Sequence, residues 1–164
     1  MRALFIILIA LAASPAFAGT TIVPDPTLTP GAVRTTDASE ICSHGTRELR
    51  HWDRRRDDRI MAEYGLEPGP HPDYEIDHLV PLGIGGADAD ANLWPEPRRT
   101  IEPVWNAEAK DRLEWKLRDL VCSGALGVAT AQHMMGEDWV EAYGRFFRSP
   151  VNAFAPAVGA MTPR

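Results

Sequence analysis

The sequence has two cysteines, Cys42 and Cys122, and no Cys-x-x-Cys pair. That excludes a zinc knuckle and a dithiol redox motif, which need paired ligands or thiols at short spacing. Aromatic residues make up 8% of the chain, and an excess of basic charge is missing: the net charge is −6. A protein that grips long nucleic acid through many phosphates is normally basic, so any anion-binding role must rest on local charge. No internal repeat is present. Only one apolar run is long enough to notice, at residues 3–13, and it falls short of the roughly 20 residues a membrane span needs.

That run belongs to "MRALFIILIALAASPAFA", residues 1–18, with Arg2 ahead of it, Pro15 breaking it and Ala16-Phe17-Ala18 closing it. The pattern is that of a secretory signal peptide, cleaved near Ala18, and it predicts a secreted or periplasmic product. In an oxidising compartment the economical reading of Cys42 and Cys122 is one structural disulfide. The alternative, a metal site using Cys42 and His44, has no second ligand pair at a suitable spacing.

Residues 19–40 hold Pro24, Pro26 and Pro30, several Thr and no hydrophobic period, and are expected to be a disordered leader. Residues 149–164, rich in Ala and Pro, are expected to be a flexible tail. Between them lies the domain, residues 41–148.

Within it the spacing predicts a charged helix over 48–64, with Leu49, Trp52, Ile60 and Met61 as sparse apolar positions. A short strand follows over 74–81, then a turn built on Gly83, Gly85 and Gly86, and a second strand or loop through Asn92, Leu93 and Trp94. A long helix over 103–121 carries Leu113, Leu117, Leu120 and Val121 at helical spacing. A last helical region, over 129–147, is expected to break near Gly136. The order of elements implies an α+β fold with a very small sheet. Trp94, Trp105, Trp115 and Trp139 are read as core rather than as stacking platforms.

Chemistry is concentrated in "YEIDHLVPLGIGGADADANLWP", residues 74–95. Asp77 and His78 put a carboxylate beside an imidazole. Neighbouring strand residues face opposite sides, so the pair serves one site only where the strand ends or bends, and Pro81 and the glycines supply that bend. Asp77 with an amide oxygen from Asn106 is a hard-oxygen set suited to Mg²⁺ or Mn²⁺. Lys110, four residues after Asn106, shares its helix face and is placed to reach a phosphate, with Arg98 and Arg99 as further phosphate-binding candidates. A six-arginine cluster, from Arg47 to Arg59, adds basic charge before the motif. Asp88, Asp90 and Asn92 imitate the start of a calcium loop, but the position needing Gly is Leu93 and the one needing Glu is Arg99, which excludes an EF-hand.

"DHLVPLGIGG", "NLWP" and "WNAEAKD" together resemble the HNH endonucleases of the His-Me finger group, and "ICSHGTRELR" with the later "VC" resembles small exported HNH-like proteins. The resemblance implies a ββα-metal core with additional flanking helices, holding one divalent metal, most simply Mg²⁺ with Mn²⁺ as alternative. It implies His78 as general base, Asn92 as the residue bracing the loop, and Asp77 and Asn106 as metal ligands. The partner would be nucleic acid, DNA in preference to RNA. Against the nuclease stands a second reading, an exported module that keeps the scaffold for binding or structure without catalysis, which the acidic net charge favours.

Overall fold

The computed structural model describes residues 21–147; the expected signal peptide, residues 1–18, and the expected tail from 149 lie outside the described residues. Their order is α1 (Ala38–Ser43), α2 (Arg54–Glu63), β1 (Tyr74–His78), β2 (Leu93–Pro97), α3 (Ala107–Cys122) and α4 (Val128–Phe146), with single 3₁₀ turns at Leu82–Ile84 and Asp90–Asn92. The fold is mixed α+β with one two-stranded antiparallel sheet.

The register pairs Tyr74 with Pro97 and His78 with Leu93. Leu79 N–H donates to Asn92 C=O and Arg98 N–H to Asp73 C=O. Hydrogen-bonded pairs alternate in an antiparallel ladder, so Pro95 and Pro97 fall at positions where the ladder asks for no N–H. Opposed residues share a face, which puts Asp77, Trp94, Glu75 and Glu96 together and His78 with Leu93 on the other side.

Helix ends follow local chemistry. The side chain of Asp53 accepts from Arg55 N–H at 2.9 Å, so α2 begins at Arg54 instead of residue 48. Asn106 caps α3 in the same way, and the helix starts four residues later than its apolar spacing suggests. The break in α4 falls at Asp138 (φ −158°, ψ 92°), whose carboxylate accepts from Glu141 N–H at 2.9 Å and restarts the helix as a cap.

The core lies where α3 and α4 pack on each other and on the 82–84 turn. Leu113, Leu117 and Val121 from α3 meet Ala131, Met135, Trp139 and Tyr143 from α4, with Ile41, Val80 and Ile84 closing one end. Cys42 in α1 and Cys122 at the end of α3 form a disulfide across 80 residues, consistent with an oxidising compartment. Among the described residues no helix is long and apolar enough to cross a membrane.

The leader is not disordered over its described part. Residues 21–37 run as a strap across the molecule. Thr29 is buried and its hydroxyl donates to Leu93 C=O at 2.8 Å. Gly31 N–H donates to Ala91 C=O, Arg34 N–H to Gly85 C=O, and the Trp139 indole N–H reaches Ile22 C=O at 2.8 Å. The strap turns once on itself, with Leu28 and Thr29 N–H donating to Asp25 C=O, and beyond that turn the 85–93 loop and α4 satisfy backbone groups from outside.

Candidate active site

Asp77 and His78 stand at the end of β1, where the chain turns through Pro81. The turn closes because Gly86 lets two strands of backbone touch: a Cβ there would lie 1.8 Å from Val80 C=O. Asn92, fully buried, ties this loop together. Its amide oxygen accepts from Val80 N–H at 2.9 Å and its amide nitrogen donates to Val80 C=O at 2.9 Å and Ala87 C=O at 2.8 Å.

His78 is 3% exposed. Its Nε2 lies 2.9 Å from Asp88 Oδ1, and its Nδ1 lies 3.8 Å from Asp77 Oδ1, beyond hydrogen-bond reach. Asp88 is the functional candidate that sequence reasoning missed, since it was weighed only as a calcium-loop position. It also accepts from His51 N–H at 2.7 Å and from Arg56 at 3.1 Å. Burial would raise its carboxyl, but the His51 amide, His78 and Arg56 outweigh burial and hold it well below the usual carboxylate range. An ionised Asp88 can only accept, so His78 Nε2 carries a proton toward it, and Nδ1 is the ring nitrogen left on the Asp77 side.

Asp77 meets a different set of neighbours. Its Oδ2 accepts from Lys110 Nζ at 2.7 Å, and its Oδ1 lies 3.4 Å from Arg50. Lys110 is 0% exposed and also donates to Glu114, with Glu96 Oε2 3.3 Å away. Burial works against the lysine charge, yet Asp77, then Glu114 and Glu96, outweigh it and keep Lys110 charged. Burial likewise opposes ionisation of Asp77, and Lys110 first, then His78, holds that carboxyl well below its usual range. Glu114 shows the opposite balance, with burial pushing its carboxyl up to about 7 against the pull of Lys110.

Three expectations are corrected by this geometry. Asn106 does not join the site: it is fully buried, its amide oxygen accepts from Ala109 N–H at 3.2 Å and its nitrogen donates to Glu102 C=O at 2.9 Å. A short amide at a helix start serves the cap before it serves a ligand. Lys110 is buried among carboxylates and is not available to a phosphate. Arg98 pairs with Glu75 at 2.6 Å and Arg99 with Glu108, and neither lines the cleft that holds His78.

The side chains that do gather with Asp77 are Asp111 and Glu114, and one carboxylate oxygen from each of the three lies within 4.8 Å of the others. Asp111 and Glu114 are three residues apart on α3 and so share one face. Three carboxylates are a hard-oxygen donor set that could hold a metal ion, although the Lys110 ammonium already holds two of them.

Asp77, His78 and Glu114 open onto a cleft of about 410 Å³, whose walls include Arg47, Arg50, Arg118, Trp52 and Trp115. Arg118 is positioned by two carbonyls, Gly83 C=O at 2.8 Å and His44 C=O at 3.1 Å. The cations at this cleft are therefore the arginines before β1 and on α3. Trp94 and Trp139 are core as expected, whereas Trp115 is 69% exposed on the cleft wall.

No family model matches the sequence, and no curated protein or solved structure is significantly similar to it.

Proposed function

We propose that this chain is an exported, divalent-metal-dependent endonuclease of the HNH kind, hydrolysing phosphodiester bonds, with DNA favoured over RNA. The observation that carries the reading is the cleft, in which a carboxylate and a carboxylate-oriented histidine face three arginines. Hydrolysis of a phosphodiester asks for a base beside the attacking water and positive charge around the non-bridging oxygens.

In this reading Asp88 holds the His78 ring by Nε2, and Nδ1 takes the proton from water as the water oxygen bonds to phosphorus. The P–O bond to the leaving oxygen then breaks, and that oxygen is protonated from solvent. Arg47, Arg50 and Arg118 bind and orient the phosphate. Asn92 keeps the loop that carries His78 and Asp88 in register. A divalent cation bound by Asp77, Asp111 and Glu114 would supply Lewis-acid stabilisation of the phosphate charge. Together β1, β2 and α3 would then be the ββα-metal core, α1, α2 and α4 its flanking helices.

The Lys110 ammonium among these carboxylates favours a second reading, in which the acidic cluster is neutralised internally and the fold is a binding or structural module. One experiment separates the two. The purified protein is incubated with supercoiled plasmid and Mg²⁺ or Mn²⁺, with EDTA as control. Nicking that EDTA abolishes, and that falls by roughly 100-fold or more in His78→Ala, is the expected result for a general base. Equal nicking by His78→Ala sinks the mechanism, and no nicking with any divalent metal assigns the module.

A further inference from the structure

Two of the five tryptophans are spent on solvent. Trp94 and Trp139 are 0% and 1% exposed, and Trp105 packs edge-on against Trp139 and Tyr143. Trp52 and Trp115, by contrast, are 78% and 69% exposed, and both line the cleft that holds Asp77 and His78. Indoles are the largest apolar side chains and contribute most when buried, so core packing does not explain a pair of them left open at one cleft. They come from separate elements: Trp52 lies just ahead of the Asp53 cap of α2, and Trp115 lies in the middle of α3.

Neither ring stands apart from the cationic groups. The Arg50 guanidinium sits 4.2 Å from the Trp52 ring centre and also bonds Ile76 C=O and approaches Asp77. This ties the Trp52 indole to the end of β1. Trp115 and Arg118 are three residues apart on α3 and so present an aromatic face and a cation on the same side. The cleft thus offers arginines to a phosphate backbone and two exposed indoles along its lining.

We infer that Trp52 and Trp115 are base-stacking platforms, and that the site takes single-stranded nucleic acid, or a locally unpaired strand, in preference to closed duplex. In a duplex the base faces are already stacked on one another and offer nothing to an indole. An unpaired strand exposes them, and stacking on an aromatic side chain accepts any base because every base has a π face. Arginine charge alone serves either form of substrate; the two open indoles are what distinguishes them. This inference rests on the nuclease reading for the class of ligand, and it adds the strandedness of the substrate and the residues that set it.

The test is binding in EDTA, so that cleavage plays no part. A fluorescein-labelled 12-nucleotide DNA strand and the same strand annealed to its complement are titrated with the purified protein, following anisotropy of the label and quenching of tryptophan emission. The wild-type protein is expected to bind the single strand more tightly than the duplex and to lose emission as it does. Trp52→Ala and Trp115→Ala should each weaken single-strand binding by about fivefold or more, the scale of one lost stack, with Trp→Phe at either position retaining most of the affinity. Duplex binding should change little in all four variants. Equal affinity for the two forms, no binding of either, or single-strand affinity untouched by both alanine variants overturns the inference. Plasmid nicking is scored separately. A protein that binds single strands through both indoles but cuts nothing upholds the inference while removing the catalytic reading, and one that nicks duplex through His78 with no effect of the tryptophans does the reverse.

Discussion

His78 Nε2 and Asp88 Oδ1 stand 2.9 Å apart at opposite limbs of the loop between β1 and β2. Ten residues separate them along the chain, and Asn92 and Gly86 fold the loop so that they meet. The pairing fixes which imidazole nitrogen faces the cleft.

Asp88→Asn is therefore expected to slow nicking by roughly 10- to 100-fold, the range found when a carboxylate that orients a histidine is lost. It should also change acid stability in a defined direction. The folded-state carboxyl is held below its unfolded value, so its stabilising contribution is fully present above about pH 4 and is lost as pH falls further. The melting-temperature gap between wild type and Asp88→Asn should be widest near neutrality and close below pH 4. A gap that grows on acidification contradicts the assignment.

Lys110→Met removes the only cation among the described residues that lies within 4 Å of Asp77, Glu96 and Glu114 together. Three buried or half-buried carboxyl groups are then left without it, and the expected loss of folding stability is about 3–5 kcal/mol in urea titration. A companion Asp77→Asn in the Lys110→Met background should cost less than the two single changes combined, because they share one ion pair. Strict additivity would show that the cluster is not the unit described.

Gly86→Ala and Gly144→Ala should move stability in opposite directions. At Gly86 a methyl group meets Val80 C=O at 1.8 Å, so the loop carrying His78 has to shift, at a cost of about 3 kcal/mol or more. At Gly144, within α4, nothing lies within 4 Å of the added Cβ, and alanine should stabilise by about 0.5–1 kcal/mol. Thermal melts of the two variants beside wild type check both signs.

Reducing the Cys42 to Cys122 bridge opens a loop of 80 residues, and chain entropy sets the expected loss near 4–5 kcal/mol. Equilibrium unfolding with and without reductant measures it. A midpoint that does not move would mean that the α1 to α3 junction is held by packing alone.

Much of this architecture was legible because it rests on local patterns. The apolar spacing on α3 announced its buried face, and the glycines after Pro81 announced the turn. Asn92 entered as the residue bracing the loop only through the resemblance, and its side chain makes three hydrogen bonds to the 80–87 backbone. Asn106 misled because the same short amide at a helix start is both a good cap and a possible ligand, and only three-dimensional placement tells them apart. Lys110 misled because helix phase gives a direction but not what waits there; Glu96, across the sheet from Glu75, has no sequence link to it. Asp88 and the strap were missed for one reason: their partners lie in other elements, at separations that no periodicity reports.

The strap also sets an order of events. Ile22 leaves the ribosome long before Trp139, yet its carbonyl is held by the Trp139 indole 117 residues downstream. Thr29 and Arg34 likewise wait for Leu93 and Gly85. The first described part of the chain to be synthesised is thus among the last to settle, and folding completes only after α4 has been made. Such long-range closure is slow relative to helix formation, so a nascent chain spends its synthesis with the segment ahead of α1 still undocked.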